Sequence, residues 1–97
     1  MPMKSPPHPG LHVKDEIEAL ELPVGKAAVA LGITRSQLHR VISGQSGISA
    51  EMALRLETVI GGSADLWLRL QAAYDVAQAR KRAKEIVGSL ARLSLPA

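Results

Sequence analysis

Between Val24 and Ser43 the chain reads VGKAAVALGITRSQLHRVIS, an order of residues that few folds accept. Ala27, Ala28 and Leu31 fall on one face of a short helix, which their spacing places from about Val24 to Leu31. Gly32 then offers the left-handed backbone that ends a helix at little steric cost. Ile33 is the apolar plug of the turn, and Thr34 is a good N-cap, because its hydroxyl can accept from a free N–H one turn into the next helix. That next helix sends Leu38, Val41 and Ile42 inward. Its other face carries Arg35, Ser36, Gln37, His39 and Arg40, all able to hydrogen-bond and two of them permanently cationic.

A short helix held against a polar, basic second helix is a helix-turn-helix arrangement, in which the second helix enters the DNA major groove. Several independent requirements coincide. Ala28 is small where the helices cross, Gly32 lies four residues later at the turn, and Leu38 and Val41 have the separation needed to pack back on the first helix. A plain helical hairpin would leave the Arg35, Ser36, His39 and Arg40 surface without a use. These four residues are the base-reading candidates, with Arg35 suited to a bidentate guanine contact. Thr34, Gln37, Ser43, Gln45 and Ser46, with the N–H groups of the Gly44–Ile48 turn taken as free, are the candidates for DNA-backbone contacts.

The rest of the chain reads as support for that unit. Its 97 residues suffice for one core, 46% of them are apolar, and there is no Phe, one Trp and one Tyr. The core is therefore aliphatic, and Leu- and Ala-rich patterns with few β-branched runs predict an all-α domain. Four prolines before Gly10 predict a flexible arm over 1–9. Val13, Ile17 and Leu20 give a first helix from about Leu11 to Leu22, and Pro23 ends that helix or starts the next. Ser49 caps a fourth helix with Met52, Ala53, Leu56, Val59 and Ile60 inward, and Ser63 caps a long fifth helix from about Ala64 through Arg82. The helix-turn-helix domain thus covers 10–82. The extension over 83–97 carries Ile86, Val87, Leu90 and Leu93, which could continue the helix although Gly88 weakens it, while Leu95-Pro96 should fray. One recognition helix reads half a site, so specific binding implies a dimer, with Tyr74, Ile86, Leu90 and Leu93 as candidates for its interface.

Other chemistry is poorly supplied. The absence of cysteine removes disulfides, cysteine-based zinc sites and thiol catalysis, and fits a cytoplasmic protein. His8, His12 and His39 match no metal-ligand spacing. No serine is paired with a persuasive base, and no phosphate loop or paired-carboxylate site is visible, so no enzyme activity, cofactor or small-molecule substrate is expected. No signal peptide or membrane span is expected either. The formal charge of +3 is unevenly spread: Asp15, Glu16, Glu18 and Glu21 crowd one segment, while Arg80, Lys81, Arg82 and Lys84 crowd another.

From about His8 to Lys81 the chain resembles the HigA/VapI-type antitoxins, Xre-type proteins with a Cro/CI-like (lambda-repressor-like) helix-turn-helix. The resemblance rests on the run HPG at His8–Gly10, the ISG at the end of the recognition helix, ISAEMALRL from Ile48, and LWLRLQAAYD from Leu66. It implies a five-helix core, a homodimer, neutralisation of a HigB-type, RelE-like mRNA-cleaving toxin, and repression of the shared operon through double-stranded operator DNA. Toxins of that kind are basic, so charge complementarity makes Asp15, Glu16, Glu18 and Glu21 the toxin-binding candidates. The alternatives are a stand-alone Cro/CI-like repressor without a toxin, or a toxin-neutralising protein whose helix-turn-helix is only scaffold.

Overall fold

The computed structural model describes residues 6–94. Six helices and no strand occur among them: α1 (Gly10–Ala19), α2 (Val24–Leu31), α3 (Arg35–Ile42), α4 (Ala50–Val59), α5 (Ala64–Lys81) and α6 (Ala83–Val87). None is long and apolar enough to cross a membrane.

The core is aliphatic around a single indole. Val13 and Ile17 of α1, Ala27, Ala28 and Leu31 of α2, and Leu38 and Val41 of α3 meet Ile48, Met52, Ala53 and Leu56, with Trp67 closing one side. Small residues at 27 and 28 let α2 lie close to its neighbours. The Trp67 Nε1–H, which must be satisfied when buried, donates to the Gly61 carbonyl at 2.9 Å.

Helix ends depart from the sequence reading in two places. α1 stops at Ala19, short of the expected Leu22, in a Schellman turn. The Leu22 N–H donates to the Ile17 carbonyl at 3.2 Å and the Glu21 N–H to that of Glu18 at 2.9 Å. Glu21 occupies the left-handed position of that turn, φ 57°, where glycine is usual, and the turn releases the chain before Pro23. The fifth helix ends at Lys81, and Arg82 breaks it with φ −107° and ψ 20° before the short α6 begins. Beyond Trp67 and Gln71, α5 buries nothing fully, and it carries the C-terminal residues away from the core in a molecule 60 Å long and 27 Å across.

His8 and Pro9, which the sequence places in the expected arm, pack against the domain. Pro9 is fully buried, and the His8 ring makes a T-shaped contact with Tyr74 at 4.8 Å between centroids. His8 Nδ1 accepts from the Gly10 N–H at 2.9 Å, capping α1 from outside. Gly10 is required there, since a Cβ would overlap the Val41 carbonyl oxygen of α3. Residues 1–5 of the expected arm, and Leu95-Pro96, lie outside the described residues.

Candidate nucleic-acid interface

The recognition helix is held at both ends by side chains. At its start Thr34 and Gln37 form a reciprocal capping box: Thr34 Oγ1 accepts from the Gln37 N–H at 3.0 Å, and Gln37 Oε1 accepts from the Thr34 N–H at 2.8 Å. The Gln37 carboxamide therefore has its oxygen committed and keeps its amino group as the outward donor. The sequence reading found Thr34 as a cap but missed the reciprocal role of Gln37, although T-x-x-Q at 34–37 is its signature.

The turn before α3 is braced from α4. Gly32 adopts the left-handed conformation, φ 71°, and Ile33 donates back to the Ala28 carbonyl at 3.0 Å. Arg55 Nη1 donates to the Leu31 carbonyl at 2.9 Å and to that of Gly32 at 3.3 Å, satisfying acceptors left over at the end of α2. Arg55 thus serves the motif from 23 residues away in sequence, a spacing no local pattern announces.

After α3 the chain is pinned again. Gly44 donates to the Val41 carbonyl at 3.1 Å, Ser46 to that of Arg40 at 3.1 Å, and Ile48 to the Gln71 carboxamide oxygen at 2.8 Å. This corrects the expectation that the N–H groups of the Gly44–Ile48 turn are free: three of them are spent inside the protein. Gln71 is the buried polar residue that does this, and its Nε2 donates on to Asp75 at 2.9 Å. Gly47 leaves room for it, since a Cβ there would sit 3.2 Å from the carboxamide.

Between these anchors Arg35, Ser36, His39 and Arg40 are all exposed along one face of α3. Thr34, Gln37, Ser43 and Gln45 are exposed beside them, and Ser46 is half-buried. The Ser43 hydroxyl donates to the Arg40 carbonyl at 3.3 Å, which leaves its oxygen as an acceptor. A cleft of about 290 Å³ separates the end of α3 from the start of α4, with Gln37, Arg40, Ser46 and Arg55 on its walls and Glu51 at 3.9 Å from Arg55. The arrangement is a rigid donor-rich strip with two cationic side chains and no partner for them among the described residues, the chemistry that base edges and phosphates both accept.

The other predicted residues lie elsewhere. Asp15, Glu16, Glu18 and Glu21 are exposed on and just after α1, with Glu18 3.9 Å from Lys14. Ile86, Leu90 and Leu93 are exposed on the C-terminal extension. Tyr74, grouped with them from sequence, is instead half-buried against His8.

The family model described as Helix-turn-helix matches residues 13–67. Virulence-associated protein A' of Dichelobacter nodosus is 46% identical over 77 residues, a match spanning 78% of this chain and 67% of that protein. Among solved structures, an addiction module antidote protein of a HigA family from Coxiella burnetii gives a TM-score of 0.84 at 28% identity, covering 94% of this chain and 100% of the other. The Pseudomonas aeruginosa antitoxin HigA, solved with the higBA promoter, gives 0.82 at 32% identity, covering 92% and 99%.

Proposed function

This chain belongs to the Xre-type helix-turn-helix family, and we propose that it is an antitoxin. In this reading it neutralises a HigB-like, RelE-related toxin by direct binding and, as a homodimer in the cytoplasm, represses its own operon at operator DNA. The observation that carries the reading is the exposed donor face of α3, fixed at its start by the capping box and followed by a turn that Gln71 anchors at Ile48, in a chain similar over nearly its whole length to an antitoxin solved with promoter DNA. Arg35 and Ser36, in the first turn of α3, and His39 and Arg40, one turn on, read base edges. Thr34, Gln37, Ser43, Gln45 and Ser46 hold phosphates. Asp15, Glu16, Glu18 and Glu21 form the acidic surface offered to the toxin. The chain works by occupying surfaces and needs no active site or cofactor.

The test is a pair of binding measurements on the full chain. One is a mobility shift on the promoter DNA upstream of its own gene at a stated salt concentration. The other is co-purification with the small protein encoded beside it. Both are expected to be positive. DNA binding with no complex would make the chain a stand-alone repressor, and a complex with no DNA binding would reduce the helix-turn-helix to scaffold.

A further inference from the structure

A second concave surface lies between α1 and the start of α5 and shares no residue with α3 or its flanking turns. Trp67 and Leu70 floor it, Ile60 and Leu66 wall it, and His12 and Glu16 of α1 form its edge. Gly61 and Gly62, with φ of 123° and 72°, make the remaining wall from backbone alone. A Cβ at Gly62 would stand 3.2 Å from Trp67 Nε1, so the glycine leaves the indole uncrowded. The bond from Nε1 to the Gly61 carbonyl then fixes the ring as a floor. The groove encloses about 190 Å³. An apolar cavity of about 150 Å³ takes up benzene, so there is room here for one aromatic or long aliphatic side chain.

The rim is apolar except for His12 and the Glu16 carboxylate. Leu66 leaves 44% of its surface in solvent, and Leu20, one turn on from Glu16 along the same side of α1, leaves 50%. The four carboxylates of α1 and its following turn are therefore not equivalent. Glu18 lies 3.9 Å from Lys14, and Asp15, Glu18 and Glu21 do not line the groove. Glu16 does line it, and it enters no ion pair among the described residues. A charge pair completed there would sit beside an indole and two leucines, where screening by water is weaker than at an open surface. An apolar anchor in a pocket, with a rim that excludes water, is the arrangement that concentrates binding energy in few residues.

We infer that the small protein encoded beside this chain anchors in the α1/α5 groove, through one bulky apolar side chain seated on Trp67 and Leu66 and a neighbouring lysine or arginine paired with Glu16. The inference rests on the toxin-binding reading above and deepens it: of the four carboxylates, Glu16 is the contact, and the others supply the surrounding charge. It also states the partner's chemistry, a cation beside a large apolar residue on an exposed segment. A purely cationic patch would satisfy the carboxylates and leave the groove unfilled. No residue of α3 takes part, so changes in the groove have no direct route to the DNA contacts.

Isothermal titration of the full chain with the purified neighbouring gene product measures it. Leu66→Glu and Glu16→Lys are each expected to weaken the complex by about tenfold or more, and Leu54→Glu, at an exposed site on α4, by less than about twofold. Circular dichroism and sedimentation equilibrium of each variant alone are expected to match the wild type. Trp67 is the sole tryptophan, so a fluorotryptophan label puts a single fluorine signal on the groove floor. That signal is expected to move when unlabelled partner is added, and it decides the case in the wild-type sequence even if a variant melts early. No complex with the wild type overturns the toxin reading and this one together. A wild-type complex that leaves the fluorine signal in place, or whose affinity shifts less than about twofold in Leu66→Glu or in Glu16→Lys, overturns only the groove. So does a groove variant that loses self-association along with the complex, since the groove would then belong to a second copy.

Discussion

Residues that do most for this interface are seldom the ones that face it. Gly10 lets the start of α1 touch the Val41 carbonyl of α3, so a side chain at position 10 would push on the recognition helix from behind. His8 caps the same helix start through Nδ1, which requires the tautomer with its proton on Nε2. Burial pushes the His8 imidazole below its ordinary 6.5, against a smaller upward pull from Asp75. The unfolded chain therefore takes up that proton first. The contribution of His8 to stability is complete above about pH 6.5 and is lost as the pH falls through the lower folded value. Melting the wild type and His8→Asn from about pH 8 to about pH 5 should show a steeper loss in the wild type, since asparagine keeps an acceptor but does not titrate in that range. Parallel curves would remove His8 from the account.

At the scale of elements, what could be read from sequence was what is local. The α2–turn–α3 unit was legible because apolar spacing, Gly32 and Thr34 all fall within one window, and Ser49 and Ser63 announced α4 and α5 in the same way. Each serine oxygen accepts from the N–H three residues on, at 3.1 Å and 3.0 Å. The supports that bridge elements were not legible. Arg55 reaches back across 24 residues to Leu31, and Gln71 reaches across 23 to Ile48. In sequence these are an arginine on a helix face and a glutamine in an amphipathic stripe. The end of α1 was misjudged because its left-handed residue is Glu21 and not glycine. Among the candidate site residues, exposure along α3 followed directly from helical period, whereas the bonded turn after α3 depended on a partner from α5. Gln71→Leu should isolate the core-side N–H of Ile48 and cost about 1–3 kcal/mol in chemical denaturation. Because the turn after α3 loosens with it, DNA affinity should fall as well. Unchanged stability would mean the carboxamide is dispensable to that turn.

The whole molecule separates its surfaces. The basic α3 face, the acidic α1 face and the projecting extension carry different chemistry at different places on one small core, and on the proposed reading DNA and a toxin would meet different surfaces. The separation has a direct consequence. Reversing charge at Asp15 and Glu18 should weaken binding of the neighbouring gene product by about tenfold or more while leaving operator affinity nearly unchanged. Isothermal titration of both partners would show it, and equal losses on both would mean that the two surfaces are not independent.

The central claim is that the exposed face of α3 reads DNA. Fluorescence anisotropy on the promoter duplex and on a scrambled duplex of equal length, at one salt concentration, tests it with Arg35→Ala. The variant is expected to lose about 1–3 kcal/mol of affinity for the promoter and much less for the scrambled sequence. Equal affinity of wild type and variant for the promoter would contradict it.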